Sequence, residues 1–330
     1  MAFRQAVTEP IRYGFAVGRV RVLEGRMLPG ATYERLLDAP TFDEQMRVLS
    51  DTAYGGFLEG AQVAEDVERG LERAIDELFC FLVTANLPDA VSRFFRTPYD
   101  YANLKARLKT DLLGQRSDGL FTELGTVPAD AFAGPIPLLP TRLRTLAERI
   151  ADEGAVRGEE WVSTEVDRAM FAELARHAKA SKSRFLSGLA ALKIDLANTR
   201  TLLRARTRER KAAEVRALLV PGGVMAIDRL MRAYALPLPE FVAALVAEPG
   251  PLKGLAADDL ADLSRFDVLA DDLEVRYLRR ARMVAAGPEP VIGYVMARQA
   301  EVMMVRTLLI GRLSGVPEDV LRRRLRERYE

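Results

Sequence analysis

The chain has 330 residues, of which 48 are lysine or arginine and 47 are aspartate or glutamate, so its formal net charge is +1. A chain of this length can bury roughly three quarters of its unfolded surface and build more than one core. The near-zero net charge excludes a global attraction to nucleic acid or anionic lipid, and any charged partner must meet a local patch. The single cysteine, Cys80, excludes an internal disulfide framework, which is typical of a reducing compartment.

Neither a leader peptide nor a membrane span is indicated. The residues Met1–Gln5 lack the apolar core of a signal peptide. Arginine or glutamate interrupts every apolar run before it reaches the ~18 to 20 residues that a transmembrane helix needs. We therefore expect a soluble, cytoplasmic protein.

The first part of the chain shows helical periodicity and no convincing alternating strand. A first helix is predicted over 11–26. A second begins at Thr41, which together with Glu44 forms a capping box. A long helix is predicted over 61–86, because its apolar residues recur at three- and four-residue spacing. Pro88 is then predicted to start a short helix that Pro98 ends.

Three further helices are predicted over 99–113, 185–206 and 291–313, and they belong to an internal repeat. The segment Asp100–Lys105 matches Asp195–Arg200, and Leu71–Ile75 matches Val166–Met170, and both pairs lie 95 residues apart. A weaker third copy places Arg306 in register with Lys105 but has Met304 at the asparagine position. An identical offset at two places indicates duplication.

The repeat predicts an all-α chain of three similar helical domains. Val-Pro pairs recur at 127–128, 220–221 and 316–317, just after each copy. We place the N-terminal helix and the first helical repeat in 1–127, the second repeat in 128–221 and the third in 222–330. Because no low-complexity linker separates the repeats, we expect them to pack against one another.

The sequence offers no recognisable catalytic, cofactor or metal site. One histidine, His177, is too few for a di-iron bundle or for most zinc sites, and we interpret it as structural or exposed. Neither a P-loop nor a dinucleotide fingerprint is present. Cys80, between Phe79 and Phe81, is predicted to be a buried, inert thiol. We therefore expect a chain without catalytic residues, cofactors or metals.

Two basic runs, over 200–211 and 322–328, are the local patches that the composition allows. We interpret both as solvated helix faces that nearby glutamates balance. Nucleic-acid binding and docking of a protein with an acidic face are the alternatives. We expect no nucleic-acid partner, because interleaved aromatic residues and a recognised binding module are both lacking.

Several stretches, taken together and in order, resemble a known family. They are Tyr13–Arg21, Leu49–Gly56, Asp100–Lys105, Gly293–Leu309 and Gly315–Pro317. The chain resembles the C subunit of the V/A-type rotary ATPases, whose eukaryotic relative is the d subunit. The resemblance covers the whole length, and it rests on the joint order of these stretches and on the triple repeat.

The resemblance implies a funnel of three all-helical domains about a pseudo-threefold axis. Such a non-catalytic central-stalk subunit lies on the cytoplasmic face of the membrane, on the rotor ring of proteolipid subunits. It receives the foot of the central shaft and transmits torque for ATP-coupled proton or sodium transport. The alternative is a cytoplasmic helical-repeat scaffold that binds another protein in a concave surface.

Candidate interface residues follow from the repeat, since equivalent helices of fused units tend to face the shared axis. The bases of the three copies are expected in a wall facing the shaft, and the two asparagines could satisfy backbone groups there: Lys105, Arg200, Arg306, Asn103 and Asn198. The alternative is that each base pairs locally with Asp100, Asp195 or Glu301. Tyr54, in a Thr-Ala-Tyr-Gly-Gly turn, either braces the first unit or touches the ring.

Overall fold

The structure of the chain is a computed structural model that describes residues 13–115, 119–260 and 262–329. All regular secondary structure in these ranges is helical, which confirms the all-α prediction. The segment Met1–Gln5 and the predicted helix start at Ile11 lie outside the described residues. Within the described ranges, no helix combines the length and the apolar character that crossing a membrane requires.

The chain divides into two compact units. The discontinuous unit contains 1–88 and 267–330, and the contiguous unit contains 89–266. The boundary at Pro88 lies inside the predicted first repeat. The division into three domains and their arrangement as a funnel stay predictions.

The helices follow one another with short connections. The N-terminal part contains α1 (Gly14–Glu24), α2 (Gly30–Asp38), α3 (Phe42–Ser50), α4 (Gly55–Leu58) and α5 (Ala64–Thr84). The contiguous unit contains α6 (Asp89–Leu113), α7 (Ala129–Ala133), α8 (Thr141–Arg157), α9 (Glu159–Ala180), α10 (Arg184–Thr207), α11 (Ala212–Leu218), α12 (Ile227–Tyr234) and α13 (Leu238–Ala247). The C-terminal part contains α14 (Leu263–Arg279), α15 (Glu289–Leu313) and α16 (Glu318–Arg323), and short 3₁₀ turns cover 136–138, 257–260 and 280–283.

The predicted apolar stripe of α5 is buried, but the predicted burial of Cys80 is wrong. Leu71, Leu78 and Phe79 are buried, and α5 packs mainly on α15 in the discontinuous unit. Each residue of an α-helix is rotated about 100° from the one before. Cys80 therefore lies one step beyond the buried stripe and is exposed.

The prediction that Pro98 ends a short helix is also wrong, because α6 continues through this proline to Leu113. A proline inside a helix removes one backbone hydrogen bond and costs about 3 kcal/mol. Buried aromatic residues on both sides of it, Phe94, Phe95 and Tyr101, offset that cost by packing into the core. Elsewhere in the chain, Thr41 caps α3 as predicted, since its Oγ1 accepts a hydrogen bond from the N–H of Glu44.

In the first and third copies, the second repeat helix packs on the first helix of another copy. In the contiguous unit, α6 of the first copy packs on α9, which is the first helix of the second copy. In the discontinuous unit, α15 of the third copy packs on α5, the first helix of the first copy. The last copy is therefore completed by helices from the start of the chain.

Candidate functional site

The acids of the first two copies are buried beneath loops. Asp100 and Asp195 are both 0% exposed. A carboxylate oxygen of Asp100 accepts hydrogen bonds from the backbone N–H groups of Thr126 (2.7 Å) and Val127 (3.0 Å). Those of Asp195 accept from Val224 (2.9 Å) and Met225 (3.0 Å). Each acid thus fixes the loop that leads into the next helix, and we call this arrangement an acid–loop contact.

A glycine stands at the start of each of these loops because a side chain would meet the acid. A Cβ added at Gly125 would lie 2.3 Å from Oδ1 of Asp100, and one at Gly223 would lie 2.0 Å from Oδ1 of Asp195. Both distances are far below van der Waals contact. The contact therefore consists of an acid and a loop that begins with glycine. The comparison of the repeat copies in the sequence identified only the acid.

The third copy has an acid–loop contact whose loop comes from the N-terminal part. Glu301 is 2% exposed and accepts a hydrogen bond from the backbone N–H of Leu28 (2.7 Å), just before α2. The hydroxyl of Tyr54 donates to Glu301 at 2.9 Å, and Arg298 forms a buried ion pair with it. The guanidinium of Arg298 also lies 4.2 Å from the centre of the Tyr54 ring.

Burial changes the pKa of two of these acids, Glu301 and Asp195. It raises the pKa of Glu301 above its usual range, although Arg298 and the hydrogen bonds from Leu28 and Tyr54 oppose it. Burial also raises the pKa of Asp195, against the two backbone N–H donors. The pKa of the Tyr54 phenol is raised as well, first by burial and then by the negative charge of Glu301.

Each predicted asparagine holds a backbone residue by two hydrogen bonds. The side-chain amide of Asn198 donates to the carbonyl of Val220 at 2.8 Å, and its oxygen accepts from the N–H of Val220 at 2.8 Å. Asn103 makes the same pair with Thr122, at 2.8 and 3.0 Å. Both amides therefore satisfy backbone groups, and their place on a wall facing the shaft stays a prediction.

Tyr54, Asn103 and Asn198 are enclosed by their own chain, since each is at most 1% exposed. The hydroxyl of Tyr54 links the turn before α4 to α15, and both alternatives for Tyr54, bracing of the first unit and contact with the ring, stay predictions. Asn103 and Asn198 therefore hold backbone groups, and Tyr54 holds the carboxylate of Glu301.

The alternative that each base pairs with the acid of its own copy is wrong for Lys105 and Arg306. Lys105 on α6 pairs with Asp167 on α9, and Arg306 on α15 pairs with Glu68 on α5. The local acids do not meet these bases because they face inward to the loops. Both pairs are partly solvated, so each contributes about 0–1 kcal/mol. Arg200, on α10, is half-buried.

Some bases of both basic runs pair with carboxylates, as expected for faces that glutamates balance. In the contiguous unit, Arg208 and Arg210 both contact Glu160 at 2.5 Å. In the discontinuous unit, Arg322 pairs with Glu34 at 2.7 Å. These pairs connect bases of each run to carboxylates on other helices.

A further buried polar cluster, which the sequence did not predict, surrounds Glu173 on α9. Its carboxylate accepts from the hydroxyl of Tyr101 (2.7 Å) and from Arg176 (2.8 Å), and it also pairs with Arg142. Nε2 of His177 lies 3.1 Å from Oε1 of Glu173. Only the i, i+4 spacing of Glu173 and His177 was visible in the sequence.

The buried histidine is held neutral despite this nearby carboxylate. Burial lowers the pKa of His177 to about 4, and the positive charges of Arg176 and Arg142 act in the same direction. Glu173 is already neutralised by these two guanidinium groups, so its charge does not stabilise an imidazolium. Among the described residues, no group of three or more His, Cys, Asp or Glu side chains could hold a metal ion.

These contacts define an all-helical repeat protein whose buried polar groups hold loops against helices. The chain belongs to the ATP synthase (C/AC39) subunit family, whose profile matches residues 16–324. It is 27% identical to the C subunit of the A-type ATP synthase of Thermococcus onnurineus over 66% of the chain, and this match spans 64% of that relative, which is less than two thirds of its length.

Two other relatives align over nearly their whole length. The C subunit of the V-type sodium ATPase of Enterococcus hirae is 23% identical over 94% of the chain and 97% of its own length. The C subunit of the V-type ATP synthase of Thermus thermophilus is 26% identical over 92% of the chain and 95% of its own length.

Proposed function

We propose that the chain is the non-catalytic central-stalk subunit of a V/A-type ATP synthase or ATPase. It joins the central rotor shaft to the membrane rotor ring and transmits torque for ATP-coupled proton or sodium transport. The family match over residues 16–324 carries this proposal. In it, the chain lies on the cytoplasmic face of the membrane, attached through the ring, and its three domains surround a pseudo-threefold axis.

The acid–loop contacts support a mechanical role, because a part that transmits torque must keep its shape under load. Hydrogen bonds to a charged group contribute about 1.5–3 kcal/mol each. Asp100, Asp195 and Glu301 each accept one such buried bond, from Val127, Met225 and Leu28, which connects a long helix to a loop. Bending the loop away would expose the carboxylate and its donors together, so the connection resists deformation.

Within this proposal, Lys105, Arg200 and Arg306 are the side chains that face the shaft. The side chains of Lys105 and Arg306 are 28% and 37% exposed. Their weak pairs with Asp167 and Glu68 can be exchanged for carboxylates of an acidic partner at little cost. Tyr54, Asn103 and Asn198 contribute from inside, by fixing the backbone that carries this surface.

Affinity purification of the tagged chain from gently solubilised membranes tests the proposal. We expect a small apolar protein of the ring to co-purify together with shaft and ATPase head subunits. Recovery of soluble partners alone would overturn the proposal and favour the helical-repeat scaffold.

Charge reversal then tests the surface. We expect Arg200→Glu and Arg306→Glu to reduce recovery of the shaft with little change in the melting temperature. Lys253→Glu, at an exposed position, controls for the same change in net charge. If melting temperature and shaft recovery fell together, these bases would be internal supports.

A further inference from the structure

The discontinuous unit contains a cavity of about 300 Å³. Residues of α1, α5 and α15 and of the turn at 53–57 line it. This volume is at the lower end of the range of ligand pockets, which is about 300–1,000 Å³. The cavity can therefore hold an amino-acid side chain and its flank.

The walls of the cavity are largely aromatic. The rings of Phe81 and Tyr294 meet edge to face, with centroids 6.0 Å apart and an interplanar angle of 88°. Both are buried, and Phe57 adds a third ring from α4. Such walls favour an apolar stem.

The charges that line the cavity are predominantly positive. Arg19, Arg26 and Arg298 line it, against the single carboxylate of Glu77. The charge of Arg298 is already met by Glu301. Arg19 lies on α1, and Arg26 follows just after its end. Neither forms an ion pair with an acid in the described ranges. The mouth of the cavity therefore carries two cations without a carboxylate partner there.

Arg19 is held in position for a ligand. One of its terminal nitrogens donates to Oγ1 of Thr84 at 3.1 Å, and its guanidinium lies 5.0 Å from the centre of the Phe81 ring. A guanidinium has five N–H donors, so this contact leaves donors for an incoming group. Fixing the side chain in advance reduces the entropy that binding would otherwise cost.

We propose that this cavity binds an acidic side chain that extends from an apolar segment of another polypeptide. Arg19 and Arg26 receive the carboxylate, because the planar guanidinium matches it in two-point hydrogen bonding. The aromatic walls receive the stem. Phe15, which is 73% exposed and whose ring lies 5.9 Å from the Arg19 guanidinium, provides an apolar flank outside the mouth.

Cys80 allows a direct test, because it lines this cavity and is the only cysteine of the chain. The rate at which a thiol reagent labels the purified chain therefore reports whether the cavity is occupied. The probes are two blocked tripeptides at millimolar concentration, acetyl-Phe-Glu-Leu-amide and its glutamine analogue. We expect the glutamate peptide to slow labelling about fivefold and the glutamine peptide to change it less than about twofold.

Matched variants locate the effect. Arg19→Gln should abolish protection by the glutamate peptide, and Arg280→Gln, at an exposed arginine outside the cavity, should retain it. The ratio of rates with and without peptide is compared within each variant, since the arginine itself can alter thiol reactivity. Circular dichroism verifies that both variants are folded.

Three results would overturn the inference. Equal protection by the two peptides would show apolar binding alone. Protection by free phenylbutyrate but by neither peptide would indicate a site for a small carboxylate. No protection by any probe would show that the cavity does not bind an acidic side chain. The test uses the purified chain alone, so its outcome is independent of the rotary-complex proposal.

Discussion

Replacing Asn198 by alanine should destabilise the contiguous unit strongly. The change removes both hydrogen bonds to Val220, whose backbone N–H and carbonyl are then left without these partners. Val220 is buried, so water does not replace the lost amide. The equivalent change, Asn103→Ala, is a natural control, because it removes the same two hydrogen bonds from Thr122, which is half-buried.

The expected magnitudes follow from that difference in burial. A buried polar group without a partner costs about 1–3 kcal/mol, and two such groups at Val220 give about 2–6 kcal/mol for Asn198→Ala. Water can reach Thr122, so Asn103→Ala should cost only about 1–2 kcal/mol. Both residues lie in 89–266, so both variants report on the same unit.

Urea unfolding followed by circular dichroism measures the two costs. Hydrogen exchange adds a local readout, since the amide of Val220 should exchange faster in Asn198→Ala and remain protected in Asn103→Ala. If the two variants lost equal stability, or if Asn103→Ala lost more, burial of the partner would not determine the cost. If Val220 stayed protected in Asn198→Ala, the two-way hydrogen bonding would not hold this loop.

Three further predictions concern other buried positions. Gly223→Ala would place a Cβ 2.0 Å from a carboxylate oxygen, so we expect it to lose about 1–3 kcal/mol of stability in thermal unfolding. Gly56→Ala is the control, because nothing lies within 4 Å of its added Cβ, and it should be tolerated. Similar melting temperatures for the two variants would refute this. Tyr54→Phe removes one donor to Glu301 and should cost about 1–2 kcal/mol in urea, and an unchanged midpoint would show that Leu28 and Arg298 suffice. Because the pKa of His177 is lowered to about 4, the unfolded chain binds more protons than the folded one between about pH 6.5 and 4. Stability should therefore fall by up to about 3 kcal/mol as pH falls through this window, and His177→Gln should show less of that fall; identical pH profiles would contradict the assignment.

The sequence predicted the helical class and the equivalence of the copies, because both follow from spacing along one helix. The offset of 95 residues selected Asp100 with Asp195 and Asn103 with Asn198, and the structure shows that each pair makes equivalent contacts. The partners could not be predicted in the same way. An acid in a helical pattern ordinarily faces water, and only the fold shows that a loop lies over it.

The third copy illustrates the limit of local rules. Glu301 contacts Leu28, which is near the other end of the chain, and no periodicity relates the two positions. The same limit explains the continuation of α6 through Pro98 and the exposure of Cys80. In each case tertiary packing determines a position for which the local pattern predicts otherwise.

The division of the chain also determines the order in which its parts can fold during synthesis. Residues 89–266 leave the ribosome as one continuous run and can form their unit as soon as the run is complete. Leu28 and Tyr54 are made before this run, and their partner Glu301 is made after it. The N-terminal helices can therefore complete their packing only after α15 has been made. In a nascent chain stalled before residue 289, we expect residues 89–266 to be folded and the N-terminal helices to lack their packing partner.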